Sequence, residues 1–189
     1  MAEPELRFDA SASQVVVQTR AKGMLAKLAH DLSIDARDAS ATLRIEGEEA
    51  VVELRVPVAK LEVAGVLKGG DIDRGVLSRS DKDDIQKKIR EEVLRSGEVV
   101  VAMRASVGGS PIAAGKRSAD ARGRIEVGGR SAQLVSRADI DATDTRVTAN
   151  GRVKVNLPAL GITPPKGPLG AFRVDDDVEI VYRLAFGPA

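Results

Sequence analysis

The chain has 189 residues, with 29 basic and 28 acidic side chains that give a formal net charge of +1. Its charges form no long run of one sign, and its aromatic residues are three phenylalanines and one tyrosine. This composition excludes the usual nucleic-acid-binding surface, which needs a basic stripe and often aromatic side chains for stacking. The absence of cysteine excludes disulfides and thiolate metal sites. The length fits one domain, which we expect to span residues 1–189.

Small side chains dominate the hydrophobic part of the composition. Hydrophobic residues make up 43% of the chain, and they include 26 alanines and 23 valines. A closed β-barrel lined by small aliphatic side chains tends to keep free internal volume. Collapse around isoleucine and leucine into a solid core is the alternative, and composition alone does not decide between the two.

The N-terminal segment Met1–Glu5 is acidic and polar, without the basic region and apolar stretch of a signal peptide. No run of about 18 apolar residues is present, so no transmembrane helix is expected. The sequence as given therefore predicts a cytoplasmic protein. It is also compatible with pairing of two copies into a homodimer.

The first third of the chain alternates apolar and polar residues, which is the pattern of half-buried β-strands. Strands are predicted at residues 14–20, 31–37, 41–46 and 50–59. A tight connection is predicted at residues 22–27, and a hairpin loop at residues 46–49. The residues that share one face of these strands are Val15, Val17 and Thr19; Leu32, Ile34 and Ala36; Ala41, Leu43 and Ile45; and Val52, Leu54, Val56 and Val58.

A helix is predicted over residues 81–95, after a mixed stretch at residues 61–80 in which we expect a loop at 68–71 and no strand. Ser80 is the predicted N-cap, with Asp83 as its capping-box partner. Ser96 and Gly97 are expected to end the helix.

The predicted helix has a narrow apolar stripe of Ile85, Ile89 and Val93. We expect this stripe to cover one opening of the barrel, with Ile89 as the central contact. The side chains expected to face water are Lys82, Lys87, Arg90 and Glu91.

Alternation returns after the helix. Strands are predicted at residues 98–105, 119–127, 130–141, 146–156 and 177–186. Gly128-Gly129 is a strong signal for a two-residue hairpin turn, and residues 108–111 are predicted to form a turn or a loop. The four prolines in residues 157–169 exclude a central strand there. Short connections between neighbouring strands favour an antiparallel up-and-down, lipocalin-like barrel of about eight strands with one amphipathic helix over an opening.

The order of these segments resembles the YceI-like family of lipid- and polyisoprenoid-binding, lipocalin-like barrels. The resemblance covers about residues 6–186, and the family implies binding of an apolar chain. The sequence as given departs from the family pattern in three respects. It shows no secretion signal, it has few aromatic residues, and it has Ser33 two residues after the His-Asp pair, where family members often have a histidine or a glycine. The segments that carry the resemblance are Ser13–Val17, Ala29–Ile34, Val56–Leu61, Ser80–Ile85, Glu98–Met103, Gly123–Gly129, Leu160–Ile162, Phe172–Val174 and Asp177–Ile180.

The leading functional hypothesis is that the barrel binds a polyisoprenoid, a quinone tail or another lipid for storage or transport, without catalysis and without a cofactor. The alternative is a structural or protein-interaction module whose core is filled, with an exposed apolar patch near residues 157–169. The candidate ligand-binding residues are Val15, Val17, His30, Leu32, Ile34, Leu54, Val56, Val101, Met103, Leu134, Ile140, Val153 and Ile180.

His30 is the one histidine of the chain, and Asp31 follows it. Adjacent residues of an extended strand point to opposite faces, so Asp31 is badly placed to orient a catalytic or metal-binding imidazole. We therefore expect a structural role for His30, or a place at the pocket edge. Helix capping and solvation are expected to explain the acidic residues near the helix, rather than a calcium site, because their spacing does not match a calcium-binding loop. These residues are Asp71, Asp73, Asp81, Asp83 and Asp84.

Overall fold

The computed structural model describes residues 6–23, 29–108, 112–167 and 170–188. This part of the chain is mainly antiparallel β-structure with one α-helix. The elements are β1 (Leu6–Phe8), β2 (Gln14–Thr19), β3 (Ala21–Lys22), β4 (Leu32–Ala36), β5 (Ser40–Glu46), β6 (Glu49–Pro57), β7 (Leu61–Lys68), β8 (Asp71–Asp73), α1 (Arg79–Lys88), β9 (Glu98–Ser106), β10 (Gly115–Val127), β11 (Arg130–Ala142), β12 (Val147–Asn156), β13 (Arg173–Val174) and β14 (Asp177–Pro188).

Twelve of the described strands form one sheet, with the order β5-β6-β9-β10-β11-β12-β14-β2-β4-β7-β8 and β1 pairing with β14. The predicted class, a mainly antiparallel β fold with one helix, is confirmed. The strand count exceeds the expected eight, and the outer strands β5 and β8 are not paired with each other, so the sheet is not closed by hydrogen bonds. The order also departs from a simple meander, because β4 pairs with β7 and β6 with β9.

The hairpin between β10 and β11 has the turn that its sequence predicts. Gly128 and Gly129 have φ values of +56° and +75°, and Val127 pairs with Arg130. A two-residue turn with positive φ at both positions fits the right-handed twist of the flanking strands, and glycine adopts it without steric cost. The pairing then extends from this turn as far as Gly115 and Ala142.

The strand β7 and its partner β8 were not predicted. Residues 61–80 were expected to be irregular, but β7 spans Leu61–Lys68 and turns through Gly69 and Gly70 into β8. Val63, Ala64 and Val66 are all buried. A strand that is covered on both faces is apolar at successive positions, so it lacks the alternation on which the prediction depended.

The helix begins earlier than predicted. Its N-cap is Ser78, whose hydroxyl accepts from the Asp81 backbone N–H while the Asp81 carboxylate accepts from the Ser78 N–H. The expected pair of Ser80 and Asp83 is therefore wrong by two residues. The helix widens into a π-helical segment over Ile89–Leu94 and ends at Arg95, which has a left-handed φ of 50°.

The apolar stripe of the helix faces the barrel, as predicted, although its residues are half-buried rather than buried. Lys87 and Glu91 are exposed, as expected, whereas Lys82 and Arg90 are half-buried. The Lys82 ammonium group donates to the carbonyl oxygens of Ala64 and Arg74, at 3.3 and 3.2 Å. Lys82 therefore helps to attach α1 to the β7 edge instead of facing water.

The segment after β12 forms no central strand, as its prolines predict, but it is well packed. A short 3-10 turn spans Pro158–Leu160, and Leu157, Leu160 and Ile162 are each at most 7% exposed. The apolar patch that the filled-core alternative requires is therefore not seen in the described part of residues 157–169. Residues 168–169, most of the 22–27 connection and residues 109–111 of the predicted turn or loop lie outside the described residues. In the described part of the chain, no helix has the length and hydropathy that crossing a membrane requires.

Candidate functional site: an apolar cavity inside the sheet

Alternation along the strands gives the curved sheet an apolar inner wall. Residues from β2, β4, β6, β9, β10, β11, β12 and β14 line one cavity of about 820 Å³. This volume lies in the upper part of the range of about 300–1,000 Å³ that is typical of small-molecule sites. Valine and alanine supply much of the wall, and their short side chains leave the centre unfilled.

The structure brings together on this wall all thirteen residues that the sequence proposed for ligand binding. Twelve of them are aliphatic or methionine side chains, and the thirteenth is His30. Contact between these residues and a ligand remains a prediction. They are Val15, Val17, His30, Leu32, Ile34, Leu54, Val56, Val101, Met103, Leu134, Ile140, Val153 and Ile180.

Sequence reasoning missed two groups of lining residues. Val99, Ile125 and Val155 share faces with predicted residues, so the same alternation could have included them. The second group comes from the irregular segment after β12, in which no periodic signal marks the inner side. Its lining members are Leu157, Leu160, Ile162, Pro165, Lys166, Gly167, Phe172, Arg173 and Val174.

One end of the sheet, which we call the far end, is packed by small side chains. Ala138, Ile140 and Val147 belong to its buried cluster. The Arg117 guanidinium donates to the carbonyl oxygens of Val107 and Ala113 beside this cluster. The rings of Phe8 and Phe186 also meet edge to face, with centroids 5.8 Å apart.

The opposite end, where β9 and β11 begin and β10 and β12 end, is the helix end. Two segments cover this end: α1 with its π-helical extension, and the segment after β12. Arg130 connects them, because its guanidinium donates to the Leu94 carbonyl oxygen at 2.8 Å and to the Gly161 carbonyl oxygen at 3.4 Å. Residues of α1 and of the segment after β12 both line the cavity here. The helix thus covers part of the opening, and the remainder is bordered by loops.

Loop residues form the rest of this border, which we call the mouth: residues 20–22, 29–31, 165–167 and 170–174. β13 pairs with β3, so that Arg173 lies opposite Lys22. The Asp31 carboxylate accepts the Ala21 backbone N–H at 2.7 Å, and the Asp175 N–H donates to the Arg20 carbonyl oxygen at 2.8 Å. These bonds hold segments that are distant in sequence at the same edge of the cavity.

His30 is exposed and stands at the edge of the cavity. Asp31 makes its contacts elsewhere, with the Ala21 N–H and with the Arg20 guanidinium at 3.8 Å. The two residues therefore form no oriented dyad of the kind that general-base catalysis uses.

Two of the five acidic residues near the helix, Asp73 and Asp81, have structural partners. The Asp73 carboxylate accepts from the Lys68 ammonium at 2.8 Å and from the Gly75 N–H at 3.0 Å, and the Lys68 hydrogen bond lowers the pKa of Asp73. The hydrogen bond from Ser78 lowers the pKa of Asp81. Among the described residues, no three His, Asp or Glu side chains are grouped so that they could hold a metal ion.

A polar pair interrupts the apolar wall at mid-depth. The hydroxyl oxygens of Ser136 and Tyr182 are 3.0 Å apart, and the Ser136 hydroxyl also donates to the Arg152 carbonyl oxygen at 3.0 Å. Either hydroxyl can be the donor in the bond between Ser136 and Tyr182. Burial raises the pKa of Tyr182, so the phenol stays neutral at physiological pH.

No family model and no curated protein sequence matches this chain. Its three-dimensional structure, in contrast, is similar to solved structures. BcnA of Burkholderia cenocepacia superposes with a TM-score of 0.65 at 11% identity, over 94% of this chain and 98% of BcnA. A polyisoprenoid-binding domain from Saccharophagus degradans, implicated in plant cell wall breakdown, gives a TM-score of 0.65 at 10% identity, over 98% and 99% of the two chains. The resemblance predicted from the sequence is thereby confirmed as a shared fold.

Proposed function

We propose that this protein binds one apolar chain, a polyisoprenoid, a quinone tail or another lipid, inside the curved sheet. The observation that carries the proposal is the cavity of about 820 Å³, whose wall consists mostly of aliphatic side chains. Each methylene group moved from water into such a site gains about 0.8 kcal/mol, so a long chain can bind tightly with few polar contacts. Storage or transport of the chain follows as the role.

Three observations support binding over catalysis and over a filled core. The structural relative from Saccharophagus degradans is described as a polyisoprenoid-binding domain and has the same fold over nearly its full length. The catalytic alternative needs a partner for His30, and Asp31 is occupied by Ala21 and Arg20. The filled-core alternative predicts neither the cavity nor the burial of Leu157 and Leu160.

A pair of substitutions on β9 tests the proposal. Val101 lines the cavity, whereas Val100 is its neighbour on the opposite face of the strand. Val101→Phe places a ring in the cavity and should lower the occupancy of a co-purified lipid, and the affinity for added farnesol, severalfold. Val100→Phe adds the same ring outside the cavity and should leave both unchanged.

Native mass spectrometry of the gently purified protein measures the occupancy, and titration with farnesol measures the affinity. Equal binding by the two variants would contradict a site inside the cavity. A wild-type protein that carries no lipid and binds no isoprenoid or acyl chain would favour the filled-core alternative.

A further inference from the structure

The charged side chains that line the cavity have one sign. Those at the helix end are Arg20, Lys88, Lys166 and Arg173, with the ionisable His30 among them. Arg104 of β9 also borders the cavity, but its guanidinium is held by Glu46 at 3.0 Å and by Glu49 at 3.4 Å. No described aspartate or glutamate lines the cavity. The positive charge is thus concentrated where a ligand would meet water.

Carboxylates do lie near the mouth, and each is occupied by another group. Asp31 pairs with Arg20 at 3.8 Å and Asp175 pairs with Lys22 at 3.6 Å. Asp176 forms an ion pair with Arg173, and this hydrogen bond lowers the pKa of the Asp176 carboxyl. These pairs neutralise Arg20, Lys22 and Arg173 at least in part.

Lys88 and Lys166 form no ion pair with any described carboxylate. Lys166 lies on the loop side of the mouth, where its backbone pairs with that of Arg173 in an isolated antiparallel β-bridge. Lys88 is the last residue of α1, which covers the same end of the sheet, and it borders the cavity with Ile85 and Ile89. Lys88 and Lys166 therefore border the same cavity, one from the helix side and one from the loop side, and neither has an ion-pair partner among the described residues.

We propose that the natural ligand is an amphiphile with an anionic head group, a carboxylate or a phosphate ester, which lies at the mouth and is recognised by Lys88 and Lys166. This inference rests on the proposed function and specifies the chemistry of its ligand. The apolar tail fills the cavity, while the head stays at the water boundary and avoids the cost of burying a charge. Ammonium groups there attract an anion of either kind, since an ammonium acts as a compact point charge.

This inference is tested with pairs of probes that have the same apolar tail and different head groups. The full chain is titrated with farnesol and farnesyl phosphate, and separately with oleyl alcohol and oleate. Wild-type protein should bind the anionic member of at least one pair about fivefold more tightly at low salt, and the preference should shrink as salt is added. The pair that shows the larger preference identifies the head as a phosphate ester or a carboxylate.

The double variant Lys88→Met and Lys166→Met should lose this preference and keep its affinity for the neutral alcohol. Lys154→Met is the matched control, because Lys154 is exposed on the outer face of β12. Equal affinities of the wild-type protein for both heads, or an unchanged preference in the double variant, would overturn the inference and leave the proposed function intact. Failure of all four probes to bind would instead overturn the proposed function.

Discussion

At the scale of single residues, two glycines define how closely the backbone and the side chains of the barrel approach. Gly123 of β10 lies opposite Met103 of β9. A Cβ atom at Gly123 would be 1.9 Å from the Ala102 carbonyl oxygen, which is a backbone atom and cannot rotate away. Gly151 of β12 leaves the space that the Tyr182 phenol occupies, since a Cβ there would be 2.4 Å from the Tyr182 hydroxyl oxygen.

Gly123→Ala should lower the free energy of unfolding by about 3 kcal/mol, because the added methyl forces β9 and β10 apart. Gly97→Ala is the control, since no atom lies within 4 Å of a Cβ built at Gly97. Urea unfolding of the two variants, followed by circular dichroism, measures the difference. Similar midpoints for both variants would show that β10 tolerates a side chain at position 123.

Tyr182 is the one tyrosine of a chain without tryptophan, so its ionisation can be followed directly by ultraviolet absorbance. Burial raises its pKa, and the hydrogen bond with Ser136 opposes that shift. The phenol should therefore ionise at a higher pH in the folded protein than in urea, and Ser136→Ala should raise its pKa further. The pKa of Tyr182 is higher in the folded protein than in the unfolded chain, where it is about 10. Tyr182 therefore contributes to stability fully below the unfolded pKa, and this contribution is lost as the pH rises through the folded pKa. A titration that coincides with the unfolded one would contradict burial of the phenol.

At the scale of elements, the start of α1 shows why sequence alone placed the cap two residues late. Ser78 and Ser80 are each followed three residues later by an aspartate, so both pairs fit the capping pattern. The structure selects Ser78, next to Leu77, which packs against the buried cluster that contains Val58 and Leu61. A tertiary contact thus decides between two equal local signals.

Ser78→Ala should lower the free energy of unfolding by about 1 kcal/mol, because it leaves an N–H of the first helical turn unpaired. Ser80→Ala should have almost no effect, since Ser80 lies inside the helix, where alanine is the better helix former. Chemical denaturation of both variants provides the comparison. A larger loss of unfolding free energy for Ser80→Ala than for Ser78→Ala would instead identify Ser80 as the N-cap.

At the scale of the whole molecule, the sequence predicts most of the inner wall and little of its ends. Alternation reveals which side of a strand faces inward, so residues such as Val101 and Leu134 were found without a structure. The charged border of the cavity carries no such signal, because Lys88 and Lys166 are 78 positions apart in the chain and border the same cavity only through the packing of the fold. The strand β7 was missed for a different reason, namely that it is buried on both faces.

The cavity of about 820 Å³ also makes the folding equilibrium sensitive to hydrostatic pressure. Unfolding eliminates internal void space, so the unfolded chain and its water occupy less volume than the folded protein with an unfilled interior. Pressure therefore favours unfolding of the ligand-free barrel. A lipid tail that occupies the void removes much of this volume difference, so the loaded protein should withstand compression that unfolds the empty one.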